Sequence, residues 1–509
     1  MSASRIWLSV RVVCLLSMAW NVATAGDGKD VSLDITLDRA VEIALRQNPD
    51  ILLAIEEIRR TRGLVVEVRS QALPNIGLTS GYNQTDPALN DSVTGGIAST
   101  TVSTVNSVGN PVIVEQSSVG FGNFDTQDKS WQVSIEAEQI IYSGGQVRAA
   151  LNIAKFTEDS SYYMLRDTIE RVIADVKKQF YDVLVNRSLI AVQEESIELL
   201  EQELKDQQER FAAGTVPRFN VLRAEVELAN AQPLLISATN DTEIANLRLA
   251  RTLGIEYSRT AAGVPPVNAI GELVVVPRKI DLAEAIYTAK ERRAFLKLQR
   301  QQILIEAEQI KLELSGYKPK LNVNGGYQLQ NSRFSDDLGE TVNGWFFGIT
   351  GTWDIFDGLE TAGKVQQAKA RLKSAKITYE DSVLQVEFEV QEAYAKLQEA
   401  LELLKGRKKN IEQALESVRL ARERFQAGAG TQLDLLDARV ALTRARVTEL
   451  EARYDYNVAL AEFDRVTGTD TKFSEEFEDP LSKRGERIKW QKIGRQKLPK
   501  DVEATATRE

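Results

Sequence analysis

Apolar residues recur every seven positions along two long stretches of this 509-residue chain. Ile169, Val176, Val183, Ile190, Ile197, Leu204 and Phe211 form one series; Val383, Val390, Leu397, Leu404, Ile411, Val418 and Phe425 form the other. A sustained seven-residue repeat keeps one seam toward a partner only when helices supercoil, so both stretches are predicted to be coiled-coil-like helices. Their bounds, Gly144 to Ala213 and Gly358 to Ala427, imply roughly 105 Å of helix each at about 1.5 Å per residue. Flanking helices are expected at half that length, over Thr36 to Ala72, Pro217 to Leu253, Asp281 to Gly316 and Thr431 to Thr467. Two short helices in line match one long helix, the makings of a uniform antiparallel wall. Pro233 lies inside a short helix and is expected to kink it or remove a hydrogen bond.

Four other segments alternate with period two. Trp131, Val133, Ile135 and Ala137 alternate with Gln132, Ser134, Glu136 and Glu138; Trp345, Phe347, Ile349 and Trp353 with Phe346, Gly348, Thr350 and Asp354. Leu321, Val323, Tyr327 and Leu329 alternate with Asn322, Asn324 and Gln328, and Ile76, Leu78, Ser80 and Tyr82 do so more weakly. This is the pattern of a strand with one apolar and one polar face. In a soluble protein such a sheet would cover a core. Here Glu136, Glu138 and Asp354 suit a water-filled lumen, while Trp131, Trp345 and Trp353, near strand ends on the apolar face, suit an interfacial aromatic girdle. Four strands cannot close a membrane barrel, since about eight is the smallest known, and lipid excludes open sheet edges. Two copies would give a barrel filled by side chains and three would give twelve strands around an aqueous pore, so a conduit calls for a homotrimer.

The sequence also reads twice. Leu37, Ala40, Ala44, Pro74, Gly81 and Tyr82 recur as Leu282, Ala285, Ala289, Pro319, Gly326 and Tyr327, and Gly144, Phe211, Gly214 and Gly254 as Gly358, Phe425, Gly428 and Gly468. The offset falls from 245 to 214 between Tyr82 and Gly144, placing an elaborated Ser/Thr/Asn/Gly-rich loop of 31 extra residues in the first copy. The expected plan is a signal peptide over 1–25 and a first repeat over 26–254, with a helix, a strand pair in 73–142 and a long helix hairpin in 144–254. A connecting segment over 255–280 follows. A second repeat over 281–468 contains a helix, a strand pair in 319–356 and a long helix hairpin in 358–467, and a charged tail occupies 469–509.

Composition narrows the chemistry. The chain has no histidine, which removes the commonest general base and zinc ligand. Its one cysteine, Cys14, lies in an apolar run after Arg5 and Arg11 and before Ala23-Thr24-Ala25, the pattern of a cleaved secretory leader. A formal net charge of −10 lacks the basic excess of a nucleic-acid binder. No catalytic constellation, metal site or cofactor is predicted, and no phosphate-binding Gly-x-x-x-x-Gly-Lys-Ser/Thr loop occurs, so energy must come from a partner.

Each long helix ends in a matched motif, Arg210-Phe211-Ala212-Ala213-Gly214-Thr215 and Arg424-Phe425-Gln426-Ala427-Gly428-Ala429-Gly430-Thr431. Glycine there supplies the left-handed residue that closes a helix, and Pro217 or Thr431 starts the return. Asp434 and Asp437 lie three apart on one face of the second returning helix. Two roles stay open for them: complementing the helix dipole, or, in a trimer, ringing one opening with six carboxylates that raise one another's pKa and attract cations.

This ordered set of leader, duplicated unit, strand pairs and paired tips resembles the outer-membrane efflux protein family, the TolC-type channels, over roughly residues 36–468. The resemblance implies a mainly α chain with a membrane β-barrel: a trimeric 12-stranded β-barrel continuous with a periplasmic α-barrel. It implies a passive exit channel of a tripartite efflux or type I secretion system, set in the outer-membrane lipid of a Gram-negative cell. A periplasmic adaptor would open it and an inner-membrane pump, ABC or proton-driven, would energise it. Asp434 and Asp437 match the pore-constricting acids. Arg210, Gly214, Thr215, Arg424, Gly428 and Thr431 match the adaptor-contacting tips, and residues 255–280 match a belt around the helices. Phe425 and Gly430 offer no side-chain hydrogen bond, so a lock on a closed tip must use other residues, such as Arg424 or Arg439. The rival reading is a non-conducting trimeric coiled-coil envelope scaffold, which has no use for amphipathic strands. The tail carries eight basic residues between Ser482 and Lys500 against Glu486 alone, as a solvated segment or a contact for an anionic envelope polymer.

Overall fold

The computed structural model of the chain describes residues 33–86, 99–105, 111–117, 128–255, 267–331 and 337–469. The leader, Pro265-Pro266 and the tail from residue 470 onward lie outside these residues. In chain order the elements are β1 (Leu33–Ile35), α1 (Leu37–Gln47), α2 (Pro49–Ser70), β2 (Asn75–Gln84), β3 (Ser99–Val105), β4 (Pro111–Ser117), β5 (Lys129–Tyr142), α3 (Gln146–Ala212), α4 (Arg218–Leu253), β6 (Val267–Ala269), α5 (Leu282–Arg292), α6 (Ala294–Leu314), β7 (Lys320–Asn331), β8 (Thr341–Thr352), α7 (Glu360–Gln426) and α8 (Gln432–Thr467).

The helix lengths follow the repeat. α3 and α7 each have 67 residues, and α4 and α8 each have 36. Part of the seven-residue seam is buried in each long helix: Ile169, Val176 and Val183 in α3, and Val390, Leu397 and Leu404 in α7, are almost wholly covered, while Phe211 at the end of α3 is exposed. α4 continues through Pro233, which is exposed, so the lost amide hydrogen bond does not end the helix.

One expectation is corrected in both copies: the first short helix of each repeat is two helices. Asn48 separates α1 from α2 with ψ 127°. Pro49 follows it, and a residue before proline is driven out of the helical region. Arg293 separates α5 from α6 with ψ 120° although alanine follows, so proline is not the shared cause. What the two breaks share is a contact. Asn48 Nδ2 donates to the carbonyl of Thr252 near the end of α4 (2.7 Å), and Arg293 Nη1 to that of Arg465 near the end of α8 (3.5 Å). The break residue thereby satisfies a terminal carbonyl that the helix itself leaves open.

The chain divides into two units, each assembled from both repeats. One comprises the residues up to Pro49, Arg171–Lys279 and Ala393–Asp464, and contains both helix tips. Within it β1 pairs in parallel with β6, and Tyr456 Oη donates to the Val276 carbonyl, holding the connecting segment on α8. The other comprises Asp50–Glu170, Ile280–Glu392 and the residues from Arg465, and contains the antiparallel sheet β2-β5-β7-β8. The elaborated loop of the first copy contains a further antiparallel pair, β3–β4, in a stretch expected to be loop.

Candidate functional site

The register of the four-stranded sheet sorts its side chains. Leu78, Ile135, Tyr327 and Trp345 form one cross-strand row, and Ile76, Ala137, Gly325 and Phe347 form the next on the same face. Thr79, Ser134, Gln328 and Gly344 lie on the opposite face, as do Asn75, Glu138, Asn324 and Gly348. Among the described residues no layer covers the apolar face: Leu78 is 73% exposed, Trp345 80%, Phe347 63% and Ile349 66%. A continuous apolar sheet surface facing water would be very unfavourable, at about 25 cal/mol per Å². The strands, 10 to 14 residues long, are of the length a tilted strand needs to cross a bilayer. Among the described residues β2 and β8 are open edges.

The tryptophans are not all at strand ends. Trp131, beside Tyr82, marks one end and its indole donates to the Leu338 carbonyl (3.0 Å). Trp353 follows β8 at the opposite end and donates to the Tyr317 carbonyl (3.2 Å). Trp345 lies in the interior of β8, which corrects its expected place. Period-two alternation assigns a face but gives no height along the strand.

At the tips the sequence and the geometry agree closely. Gly214 and Gly428 have φ 72° and 75°, the left-handed conformation that a side chain disfavours. The amide of Thr215 reaches back to the Arg210 carbonyl and that of Ala429 to the Arg424 carbonyl, each at 2.9 Å, closing α3 and α7 in the same way. Thr215 Oγ1 adds a second bond to Arg210 O at 2.9 Å. The tips also meet: the Arg210 guanidinium lies 5.0 Å from the centroid of the Phe425 ring, a cation–π contact.

Thr431 caps α8 reciprocally with Asp434. The Thr431 amide and hydroxyl each donate to Asp434 Oδ2 at 2.9 Å, and the Asp434 amide donates to Thr431 Oγ1 at 3.2 Å. These bonds, first the one from the Thr431 amide, hold the Asp434 carboxyl below the usual aspartate range. Within one chain, capping is what acts on Asp434. Asp434 and Asp437 are both exposed.

Behind the tips lies a cluster that the heptad reading missed. Arg439 Nη1 on α8 pairs with Glu203 Oε2 on α3 at 2.9 Å, with the side chains only 16% and 8% exposed. Gln207 Nε2 donates to Glu203 Oε1 at 2.8 Å and Gln432 Nε2 to the same oxygen at 3.4 Å. Arg446 Nη1 pairs with Glu195 Oε2 at 2.6 Å farther along the same two helices. Of the two arginines named as candidate locks, Arg439 is the one that ties two helices together in a buried pair. Glu203 precedes the seam residue Leu204, and its sequence neighbourhood is as charged as any solvated helix face.

A sheet with a bare apolar face and two open edges, on a chain whose long helices end in capped tips, fits an outer-membrane channel protein. The chain belongs to the outer membrane efflux protein family, which matches residues 40–255 and 285–469. Outer membrane protein TolC of Vibrio cholerae is 22% identical over 432 residues, 84% of this chain and 89% of that protein. Among solved structures, a membrane protein from Pseudomonas aeruginosa superposes with a TM-score of 0.68 at 19% identity, covering 85% of this chain and 92% of the other. The CmeC outer membrane channel of Campylobacter jejuni does so at 0.66 and 16% identity, covering 87% and 89%.

Proposed function

We propose that three copies of the chain close their sheets into one 12-stranded barrel and join their helices into a periplasmic tube. The result is a passive exit duct for an efflux or type I secretion system. The observation that carries this reading is the four-stranded sheet whose apolar face is exposed and whose edge strands have no partner among the described residues. Lipid covers such a face, and only other strands satisfy such edges. A fourfold set of strands per chain reaches the width of an aqueous pore at three copies.

In this assembly the second tips converge, and Asp434 and Asp437 form the acidic constriction. The exposed turns at Gly214 and Gly428 are the surfaces for a periplasmic adaptor, with an inner-membrane pump supplying energy. The buried Glu203–Arg439 pair holds α8 against α3 and is the device that adaptor docking has to loosen.

Planar-bilayer recording tests the reading. The wild-type protein is expected to conduct with cation selectivity, and Asp434→Ala with Asp437→Ala to lower that selectivity. An unchanged reversal potential removes the acid ring, and absence of any unitary current removes the duct.

A further inference from the structure

The polar face of the sheet carries one feature that a plain water-filled lumen does not require. Across its middle the register aligns Gly77, Glu136, Gly326 and Phe346 in a single row. Phe346 is an aromatic residue on a face otherwise composed, over its central rows, of Asn, Gln, Ser, Thr, Glu and Gly. Its ring leans over Gly326, where an added Cβ would lie 2.9 Å from Phe346 Cζ and 2.2 Å from the Ile135 carbonyl oxygen. Gly326 therefore cannot gain a side chain, and the ring of Phe346 lies over it, on the strand next to Glu136. Two strand spacings, about 10 Å, separate the backbones of Glu136 and Phe346, and the ring spans part of that distance.

Glu136 is exposed, and Asn324 Nδ2 donates to its Oε1 at 3.2 Å, orienting the carboxylate. Glu138 lies beside it on the same face, in register with Asn324. Lys320, the basic residue of this face on β7, is six residues from Gly326, about 20 Å along the strand. The local field is negative. A carboxylate beside an aromatic ring that lies on bare backbone matches a cation attached to an apolar body, since the ring's negative face attracts the same charge.

We infer that Glu136 and Phe346 form a station for organic cations, an ammonium centre with an aromatic or alkyl body, midway along the barrel. The inference rests on the barrel reading above and deepens it by naming a substrate class. The test is block of single-channel KCl current by benzyltrimethylammonium compared with tetramethylammonium. The wild-type channel is expected to be half-blocked at a lower concentration of the benzyl compound. Phe346→Leu should raise that concentration about three- to thirtyfold, and Glu136→Gln about fivefold.

KCl current with equal sensitivity to both ions overturns this inference and leaves the duct standing; no KCl current in the wild type overturns the duct itself. A preference for the benzyl ion that moves only with Asp434 and Asp437 substitutions places the station at the tips and refutes the assignment to Glu136 and Phe346. If Phe346→Leu fails to insert, the wild-type preference and Glu136→Gln still decide the matter.

Discussion

Replacing Glu203 by alanine should loosen the tip more than any surface change. The substitution strands the Arg439 guanidinium, 16% exposed, without its partner at 2.9 Å. It also removes the acceptor of Gln207 and Gln432. Breaking a buried pair from one side costs about 3–5 kcal/mol. If that cost falls on local opening of α8 from α3, amide protection near the start of α8 drops by roughly a hundred- to a few thousandfold. Hydrogen exchange read by mass spectrometry on the detergent-solubilised protein, over peptides covering 427–445, measures this directly. Glu402→Ala is the control: its pair with Lys405 has side chains 68% and 59% exposed, and should change protection by at most about 1 kcal/mol. Replacing both Glu203 and Arg439 by leucine and methionine should restore much of the protection, because an apolar substitute removes the stranded charge. Wild-type exchange in Glu203→Ala would refute the reasoning, since the cluster would then hold nothing.

Two further outcomes are expected. Asn48→Ala removes the donor to the Thr252 carbonyl and leaves that carbonyl poorly satisfied; it should destabilise the unit containing the tips by about 1–3 kcal/mol, read as a lower thermal midpoint. Asp159 on α3 has its pKa pushed up to about 6, first by burial and then by the Glu158 charge. Its folded value is thus above its unfolded one, so the folded state holds the extra proton and stability falls as pH rises from about 4 to about 6. Asp159→Asn should flatten that slope, and an unaltered pH profile of thermal stability would count against the assignment.

How far the sequence could be read depended on which physical constraint wrote it. The seam from Ile169 to Val183 was legible because burial imposes a period, and the tips were legible because Gly214 and Gly428 occupy a backbone region few residues tolerate. Strand faces were legible for the same reason as the seam. Strand height was not, which is why Trp345 was expected nearer an end than it lies. The breaks at Asn48 and Arg293 are set by contacts with helix ends more than 170 residues away in sequence, and only Pro49 left a local trace of one of them. The Glu203–Arg439 pair left none, because a buried ion pair and a solvated one use the same residues. Asp434 was legible as a helix-start acid and as a candidate constriction; its bonds to Thr431 give it the first role within a single chain.

The most direct test joins the two open edges. With Cys14, the chain's one cysteine, replaced by serine, single cysteines are placed along β2 and β8 in pairs and oxidised in intact envelopes. The account predicts covalent dimers and trimers at the pairs that face each other, with nothing larger than three chains. Monomers at every pairing, or a ladder that continues past three, would contradict it.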